Sequence, residues 1–239
     1  MTTALIFAGG TGQRMSTRTK PKQFLELHGK SVIIYTLEHF EFHPEIDDIV
    51  VVCLANWIST LKHMLRQYYF EKVSLVVPGN SEGGDKSIYN GLKAMEGRCS
   101  PEDIVLIHDG VRPLINAELI SANIAKVKEK GNAITIEPVA ESVVQLNGGG
   151  KIVSVPPRDK VFCAKAPQSF RYGAIWELYQ KAAKDGRRTI DSAHLCSIYG
   201  MEMHTVMSTP NNIKITAPND YYIFRALFEA MENEQILGV

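Results

Sequence analysis

The chain has 239 residues, which is room for one large domain or two small ones, because domains commonly run to about 100–200 residues. Hydrophobic residues make up 45% and charged residues 22%, a composition that excludes disordered and collagen-like proteins. The 26 basic and 26 acidic residues balance to a net charge of 0, so no global basic field attracts nucleic acid or an anionic membrane.

The sequence shows no sign of a membrane span, a leader or a cysteine framework. Its longest apolar run, Ile49 to Ala55, is far shorter than the roughly 18 residues that cross a bilayer. The N-terminus lacks the basic region and long apolar stretch of a secretory signal, and no two cysteines form a C-x-x-C pair. We therefore expect a cytoplasmic protein that has neither nucleic-acid nor membrane partners.

The first half alternates short β-branched runs with longer helical patterns, which predicts a mostly parallel sheet with helices on both faces. The predicted strands are Ala4–Phe7, Ile49–Leu54, Val73–Val77 and Ile104–Ile107. The predicted helices are Val32–Phe40, Asn56–Tyr69, Ser87–Glu96 and Ala117–Lys130.

The alternation of strand-like and helical patterns ends after a further β-like run at Ile134–Pro138. Ser142–Leu146 and Lys151–Val155 flank a glycine-rich turn and predict a hairpin, which is barely stable alone and so should lie on the body or on a second copy of the chain. Three helices and two short strands are predicted beyond it: Gly173–Lys184, Ile190–Tyr199 and Asn219–Asn233, then Met203–Met207 and Ile213–Thr216. We expect residues 1–239 to form one domain, with residues 139–157 as a protruding β-arm.

A glycine-rich segment follows the first predicted strand and indicates an anion site, because backbone N–H groups approach an anion closely there. A dinucleotide fingerprint fails, since its third glycine would fall on Met15, and the P-loop pattern fails for lack of Gly-Lys-Ser/Thr. The segment reads G-G-x-G-x-R from Gly9 to Arg14, and Lys22 follows within Pro-Lys-Gln-Phe. Two cations beside one loop suit a nucleoside triphosphate that loses pyrophosphate, whereas a solvated glycine turn is the structural alternative.

Asp109 ends the strand Ile104–Ile107 within the sequence His-Asp-Gly-Val-Arg-Pro. Open α/β sheets bind ligands at this end of their strands, and Mg²⁺ needs only one or two protein carboxylates when phosphates and water supply its other ligands. Asp109 is therefore a candidate Mg²⁺ ligand, a loop-capping carboxylate being the alternative. We expect its neighbour His108 to be structural.

Other patterns give weaker signals. His39 and His43 have metal-ligand spacing on a helix, but no third ligand lies near them in sequence, so we expect packed or surface residues. Lys214 lies in a short β-like run, where a lysine is commonly an exposed edge residue. No set of Ser, His and Asp typical of a hydrolase is recognisable in the sequence, and it has no Asp-x-Asp metal motif of a nucleotide-sugar glycosyltransferase.

Five motifs occur in order between residue 7 and about residue 220: the glycine loop, Pro21–Leu25, the His-Asp-x-x-Arg-Pro segment, Ala166–Phe170 and Asn212–Thr216. Together they resemble the cytidylyltransferase family that includes 2-C-methyl-D-erythritol 4-phosphate cytidylyltransferase and ribitol-5-phosphate cytidylyltransferase. The resemblance implies a Rossmann-like fold, a homodimer joined by a β-arm, and Mg²⁺-dependent transfer of CMP from CTP to a polyol phosphate.

The resemblance also implies roles for individual residues. Arg14 and Lys22 would stabilise the transition state, Arg158 and Lys214 would position the acceptor phosphate, and Asp109 would bind Mg²⁺. The expected CTP-binding residues are Phe7, Ala8, Gly9, Gly10, Thr11, Gly12, Gly79, Ser87 and Gly110. The expected acceptor-binding residues are Arg112, Glu141, Thr189 and Asp191.

The chain departs from the family pattern near both substrates. Gly84 stands where the family has an arginine three residues before the serine, and Lys86 is a candidate substitute. Ala166 replaces a threonine, and Glu141-Ser142 replaces an acid-threonine pair. The Phe-Ala-Gly-Gly-Thr-Gly opening favours ribitol 5-phosphate as acceptor over 2-C-methyl-D-erythritol 4-phosphate. A nucleotide-binding protein without catalytic activity is a further alternative, which Gly84 favours and the retained Arg14 and Lys22 oppose.

Overall fold

The computed structural model describes residues 1–10, 20–80 and 83–237. The strands are β1 Thr2–Ala8, β2 Glu26–Leu27, β3 Lys30–Ser31, β4 Asp48–Cys53, β5 Val73–Pro78, β6 Ile104–Asp109, β7 Asn132–Pro138, β8 Gln145–Leu146, β9 Ile152–Ser154, β10 Phe162–Arg171 and β11 Thr205–Met207. The helices are α1 Val32–Glu41, α2 Ile58–Gln67, α3 Gly84–Ala94, α4 Ala117–Lys130, α5 Tyr172–Lys184, α6 Ser192–Ile198 and α7 Pro218–Leu237. Single 3-10 turns span Lys22–Phe24, Ala55–Trp57 and Arg158–Lys160.

Seven of the described strands form a central sheet in the order β11-β7-β10-β6-β1-β4-β5. The pairs β1–β4, β1–β6, β4–β5 and β7–β11 are parallel, whereas β10 runs antiparallel to β6 and β7. Phe7 on β1 pairs with Asp109 on β6 and with Val52 on β4. The carboxyl ends of three neighbouring strands therefore meet at one edge of the sheet.

Apolar side chains cover the two faces of the sheet separately. Ala4 and Ile6 of β1 pack on the side of α1, α2 and α4, while Leu5 of β1 and Val50 of β4 pack on the side of α3 and α5. Because both faces are covered, the central strands are continuous apolar runs without in/out alternation. The α/β architecture and mostly parallel sheet predicted from the sequence are confirmed.

Helix α7 forms a third apolar cluster with α1. Phe224 of α7 is fully buried and contacts Tyr35 edge-on, with the ring centroids 5.7 Å apart. Ile215, just before α7, is buried in the same cluster. This packing fixes the chain segment that carries Lys214.

The predicted helices are present with shifted ends. Asn116 caps α4 by accepting a hydrogen bond from the N–H of Leu119 at 3.1 Å, and Gly131 ends that helix with φ of 86°. Helix α3 begins at Gly84, three residues before the predicted start, and α6 begins at Ser192 rather than Ile190.

Two strand predictions need correction. Strand β10 was not predicted from the sequence, because a register irregularity between Ala164 and Gln168 hides its strand pattern. The predicted strand Ile213–Thr216 is wrong, because this segment is a loop whose backbone groups pair with other parts of the chain.

The predicted hairpin is present as a two-stranded sheet of β8 and β9, with Leu146 opposite Ile152. Both of these side chains are exposed, as are Val144, Val153 and Val155. The hairpin, called the arm below, is therefore a sheet separate from the central one with exposed apolar side chains, and its protrusion from the body stays a prediction. In the described part of the chain, no helix is both long and apolar enough to cross a membrane.

Candidate active site

The end of β1 forms a tightly packed glycine corner. A Cβ atom on Gly9 would lie 2.7 Å from the Ser87 hydroxyl oxygen, and one on Gly79 would lie 2.8 Å from the Cα of Gly9. Neither distance leaves room for a side chain, so glycine is required at both positions. Phe7, Ala8, Gly9, Gly10, Gly79 and Gly110, which the resemblance assigns to CTP, lie around this corner at the carboxyl edge of the sheet.

The Ser87 hydroxyl shapes the loop that precedes it. It accepts a hydrogen bond from the N–H of Asn80 at 3.0 Å and lies 3.2 Å from the Gly83 carbonyl. The residue is buried, so these contacts give it a structural part in holding Asn80 and Gly83 beside the glycine corner. Its expected role in binding CTP stays a prediction.

Gln23 holds the glycine corner from the other side, a role that the sequence analysis missed. Its side-chain amide donates hydrogen bonds to the Ala8 carbonyl at 2.7 Å and to the Gly10 carbonyl at 3.3 Å. The neighbouring Phe24 stacks on Trp57 with the ring centroids 4.4 Å apart. The signal available in the sequence was the place of this glutamine in the Pro-Lys-Gln-Phe motif. The structure adds that the side chain is buried, where a polar group needs hydrogen-bond partners.

Asp109 is clamped between two cations at the end of β6. One carboxylate oxygen accepts from Arg112 Nε at 2.8 Å, and the other lies 2.5 Å from Lys214 Nζ. Burial by itself raises the pKa of the Asp109 carboxyl, but the facing charges of Lys214 and Arg112 outweigh it and hold that pKa below its usual range. Asp109 is therefore ionised at neutral pH.

Lys214 keeps access to solvent although it pairs with a buried acid. Its side chain is 38% exposed, against 6% for Asp109 and 8% for Arg112. The ammonium also lies 5.9 Å from the centre of the Phe7 ring, above the glycine corner. A ligand at this edge can therefore reach Lys214. Arg112 is buried and holds Asp109, and its expected role in acceptor binding stays a prediction.

The loop at residues 212–216 ties these cations together. Its Asn212 carbonyl accepts from Arg112 at 2.9 Å, and its Ile215 carbonyl accepts from Lys22 Nζ at 2.8 Å. The Ile215 N–H donates to the Val111 carbonyl at 2.9 Å. Lys22 and Lys214, which are far apart in sequence, thus lie at the same loop.

Three of the expected site residues, Thr11, Gly12 and Arg14, lie outside the described residues. Arg158 and Glu141 lie at the base of the arm, where each lines a different cavity. In the described part of the chain, no hydrogen bond or ion pair joins either of them to Asp109.

The other two expected acceptor residues contact different parts of the fold. Asp191 caps α6 by accepting from the N–H of His194 at 2.8 Å, and its second oxygen accepts from Gln168 at 3.0 Å. Thr189 lines a cavity of about 530 Å³ beside α3, in which its N–H faces the Asp85 carboxylate at 3.5 Å. Roles in acceptor binding stay predictions for both.

An arginine from a distant part of the chain lies beside the turn that lacks the family's arginine. A Cβ atom on Gly83 would be 2.7 Å from an Arg188 Nη atom, and Arg188 Nε lies 3.8 Å from the Asp85 carboxylate. The guanidinium therefore reaches the N-terminus of α3, next to Gly84. Lys86, which the sequence analysis suggested as the substitute, lines the same cavity.

The histidines have structural surroundings. His108 is fully buried against Phe40, and burial lowers its pKa to about 3, so its ring is neutral. His39 Nε2 contacts the Pro113 carbonyl at 3.0 Å, and His43 Nε2 contacts the Ser121 hydroxyl at 3.0 Å. Among the described residues, no group of three His, Cys, Asp or Glu side chains could hold a metal ion.

Comparison with known proteins identifies relatives over the whole chain. The model of the family described as IspD, 2-C-methyl-D-erythritol 4-phosphate cytidylyltransferase, matches residues 2–230. The chain is 46% identical over 240 residues to ribitol-5-phosphate cytidylyltransferase of Streptococcus agalactiae serotype Ia, with 100% of both chains covered. It is 47% identical over 239 residues to the protein of the same name from Vibrio parahaemolyticus serotype O3:K6, again with 100% of both covered.

Members of the other branch are more distant. The 2-C-methyl-D-erythritol 4-phosphate cytidylyltransferase of Geotalea uraniireducens is 35% identical over 234 residues, covering 98% of this chain and 99% of that one. The crystal structure of 4-diphosphocytidyl-2C-methyl-D-erythritol synthase from Anaerococcus prevotii superposes with a TM-score of 0.81 at 26% identity, covering 96% of this chain and 98% of that one. The chain therefore belongs to the 2-C-methyl-D-erythritol 4-phosphate cytidylyltransferase family of nucleotidyltransferase enzymes.

Proposed function

We propose that this protein transfers CMP from CTP to D-ribitol 5-phosphate and releases pyrophosphate. The observation that carries the proposal is the convergence of Lys22, Lys214 and Asp109 beside the glycine corner. The ribitol acceptor is supported by the 46% and 47% identity to relatives that are named for it, against 35% for a relative of the other branch.

The reaction needs no general base from the chain. A phosphate monoester has its second pKa near 6, so at pH 7 the acceptor phosphate carries an anionic oxygen that can attack the α-phosphorus of CTP. The new P–O bond forms as the bond from the α-phosphorus to the bridging oxygen of pyrophosphate breaks. The absence of a candidate base beside Asp109 in the described residues agrees with this chemistry, since His108 is buried and neutral.

The main task of the site is to hold two anions that repel each other in line for attack. Lys214 lies on the loop of residues 212–216 and Lys22 donates to a carbonyl of that loop, so both supply positive charge at one place, and Asp109 orients the Lys214 ammonium. Charge placed before the reaction stabilises the transition state without reorganisation at the moment of transfer. Arg14 and Arg158 are the further cations that the family resemblance assigns to the same task.

Asp109 also fits the part of a Mg²⁺ ligand. It offers one ionised carboxylate at the strand ends, and Mg²⁺ commonly takes one or two carboxylates together with phosphate oxygens and water. This donor set suits an ion that is bound jointly with the triphosphate of CTP rather than a resident metal centre. When bound, Mg²⁺ neutralises triphosphate oxygens and so favours pyrophosphate as a leaving group.

We extend the proposal to a homodimer joined through the arm. Five apolar side chains of the arm are exposed, and a two-stranded hairpin is marginal by itself. A second copy of the chain would cover them. Arg158 and Glu141 lie at the arm base, so the same contact would bring them toward the partner's site.

Pyrophosphate release with CTP and Mg²⁺ tests the proposed function. Ribitol 5-phosphate and 2-C-methyl-D-erythritol 4-phosphate are assayed side by side, with ATP, GTP and UTP replacing CTP as controls. We expect release that depends on CTP and ribitol 5-phosphate. Pyrophosphate release with only 2-C-methyl-D-erythritol 4-phosphate would assign the protein to the other acceptor. No pyrophosphate release with either acceptor would contradict the proposal.

A further inference from the structure

A second ion pair lies close to the Asp109 cluster, and the sequence analysis singled out neither of its members. Lys165 Nζ is 2.6 Å from a carboxylate oxygen of Glu137. The Lys165 side chain is only 13% exposed and that of Glu137 only 32%. Withdrawing two charges from water costs free energy that their attraction seldom exceeds, so a pair like this contributes little stability. Its position beside a binding edge favours a functional role.

The register irregularity in β10 places Lys165 in this position. The regular pairing of β10 with β7 stops at Ala164 and resumes at Gln168, so Lys165 lies within the interruption. Such irregularities redirect a side chain away from its strand pattern and are common near active sites. Glu137 lies near the carboxyl end of β7, opposite Cys163.

One carbonyl group connects this pair to the Asp109 cluster. Lys165 Nζ lies 3.3 Å from the Asn212 carbonyl oxygen, which also accepts a hydrogen bond from Arg112 at 2.9 Å. Arg112 in turn holds Asp109. Lys165 therefore bridges Glu137 and the loop that carries Lys214.

Glu137 faces an open cavity of about 750 Å³ at the arm base. Glu141 and Ser208 supply further polar groups to this cavity, and Val139 and Met207 supply apolar surface. A carboxylate has four lone-pair positions, so the contact with Lys165 leaves Glu137 able to accept further hydrogen bonds. Neighbouring hydroxyl groups of a polyol are donors that match this capacity.

We propose that Glu137 is a specificity-determining residue that accepts hydrogen bonds from the hydroxyl groups of the acceptor. Lys165 is the positioning residue that orients the Glu137 carboxylate toward the cavity. The inference rests on the proposed function, because it assumes that a polyol phosphate binds beside Lys214. It adds the group that recognises the polyol part of the acceptor, separate from the cations that bind the phosphate.

Recognition by a hydrogen-bond acceptor has a measurable signature. A site built to bind a hydroxyl group rejects an analogue that lacks it, because the hydrogen bond to the partner group is then lost. The wild-type protein should therefore favour ribitol 5-phosphate over its 1-deoxy and 2-deoxy analogues. If Glu137 only held β10 against β7, its replacement would lower the turnover of all three acceptors equally.

The experiment compares kcat/KM for the three acceptors at saturating CTP and Mg²⁺ in the wild type, Glu137→Gln and Lys165→Met. We expect Glu137→Gln to lower kcat/KM for ribitol 5-phosphate by about 10–10²-fold, the usual effect of losing a hydrogen bond to a charged group. Its preference for ribitol 5-phosphate over at least one deoxy analogue should shrink by a similar factor, while the KM for CTP stays within about twofold. Lys165→Met should shift the preference in the same direction.

Two further variants serve as controls. Glu45→Gln breaks an exposed ion pair with Lys128, whose atoms are 2.9 Å apart, and should leave all three values unchanged. Glu137→Asp keeps the charge and should keep the acceptor preference, which preserves a test if Glu137→Gln does not fold. Equal losses of kcat/KM for all three acceptors in Glu137→Gln would overturn the inference. So would the same acceptor preference in Glu137→Asp and Lys165→Met, with the two variants differing only in total turnover. A wild type that turns over no polyol phosphate would overturn the proposed function and this inference with it.

Discussion

Lys22 donates a hydrogen bond to the Ile215 carbonyl, so its ammonium lies beside the loop that carries Lys214. We expect Lys22→Ala to lower kcat by about 10²–10³-fold, which is the usual effect of removing one group that stabilises transition-state charge. Steady-state pyrophosphate release measures the effect. Lys62→Ala, at an exposed position on α2, is the matched control, and near-normal turnover in Lys22→Ala would remove Lys22 from the catalytic site.

Arg188 places a guanidinium at the N-terminus of α3, beside the glycine that replaces the family's arginine. We expect Arg188 to make the CTP contact of the missing arginine, so Arg188→Ala should raise the KM for CTP by about tenfold through the loss of one charge-assisted hydrogen bond. The KM for the acceptor should change little. Arg66→Ala on α2 is the control, and an unchanged KM for CTP would show that Arg188 only pairs with Asp85.

Helix α1 contains a partly buried histidine, His39, whose charge state links pH to stability. Burial lowers the pKa of His39 below its usual value, although its contact with the Pro113 carbonyl acts in the opposite direction. As the pH falls through about 6.5, His39 takes up a proton in the unfolded chain but not in the folded chain. The contribution of neutral His39 to the free energy of unfolding is therefore fully present above that pH and is lost as the pH falls below it.

We expect His39→Gln to remove part of this pH dependence. Urea unfolding of the wild type should show a free energy of unfolding that falls between pH 7 and pH 5, with a slope of at most about 1.4 kcal/mol per pH unit from this group. His39→Gln keeps a side-chain amide for the Pro113 carbonyl and should reduce the slope. His63→Gln, at an exposed position, should not, and identical slopes in all three proteins would contradict the pKa shift.

The arm is the element through which we propose that the dimer assembles. Deleting residues 143–155 should convert the proposed dimers into monomers of slightly less than the 26.6 kDa of the whole chain, because the exposed apolar side chains that a second copy would cover are removed. Sedimentation velocity measures the change. Leu146→Glu with Ile152→Glu tests the same contact without shortening the chain, and a dimer that survives both changes would contradict assembly through the arm.

For the whole molecule, the sequence predicted those features that follow from local pattern. Buried apolar runs predicted β1, β4 and β6, and the motifs placed Gly9 and Asp109 at strand ends, where parallel strands bring them together. The segment with Lys214 was found through its motif, although its predicted strand was wrong. Its backbone bonds go to Arg112, Lys22 and Val111, which are far away in sequence.

The features that were missed depend on contacts between distant parts of the chain. The antiparallel β10 contains an interruption that breaks the alternation by which strands are recognised. The pair of Lys165 with Glu137 exists only because that interruption turns one lysine toward the next strand. Gln23 likewise gains its role only once the fold brings it against the Ala8 carbonyl.

The central claim is that the acceptor phosphate attacks the α-phosphorus of CTP at the edge formed by Lys22, Lys214 and Asp109. Its most direct test is ³¹P NMR of the products made from CTP and ribitol 5-phosphate labelled with ¹⁸O in the phosphate group. The predicted result is CDP-ribitol and unlabelled pyrophosphate in equal amounts, with an isotope shift on both phosphorus atoms of CDP-ribitol because the bridging oxygen comes from the acceptor. Label in pyrophosphate, or an α-phosphorus signal without an isotope shift, would contradict the claim.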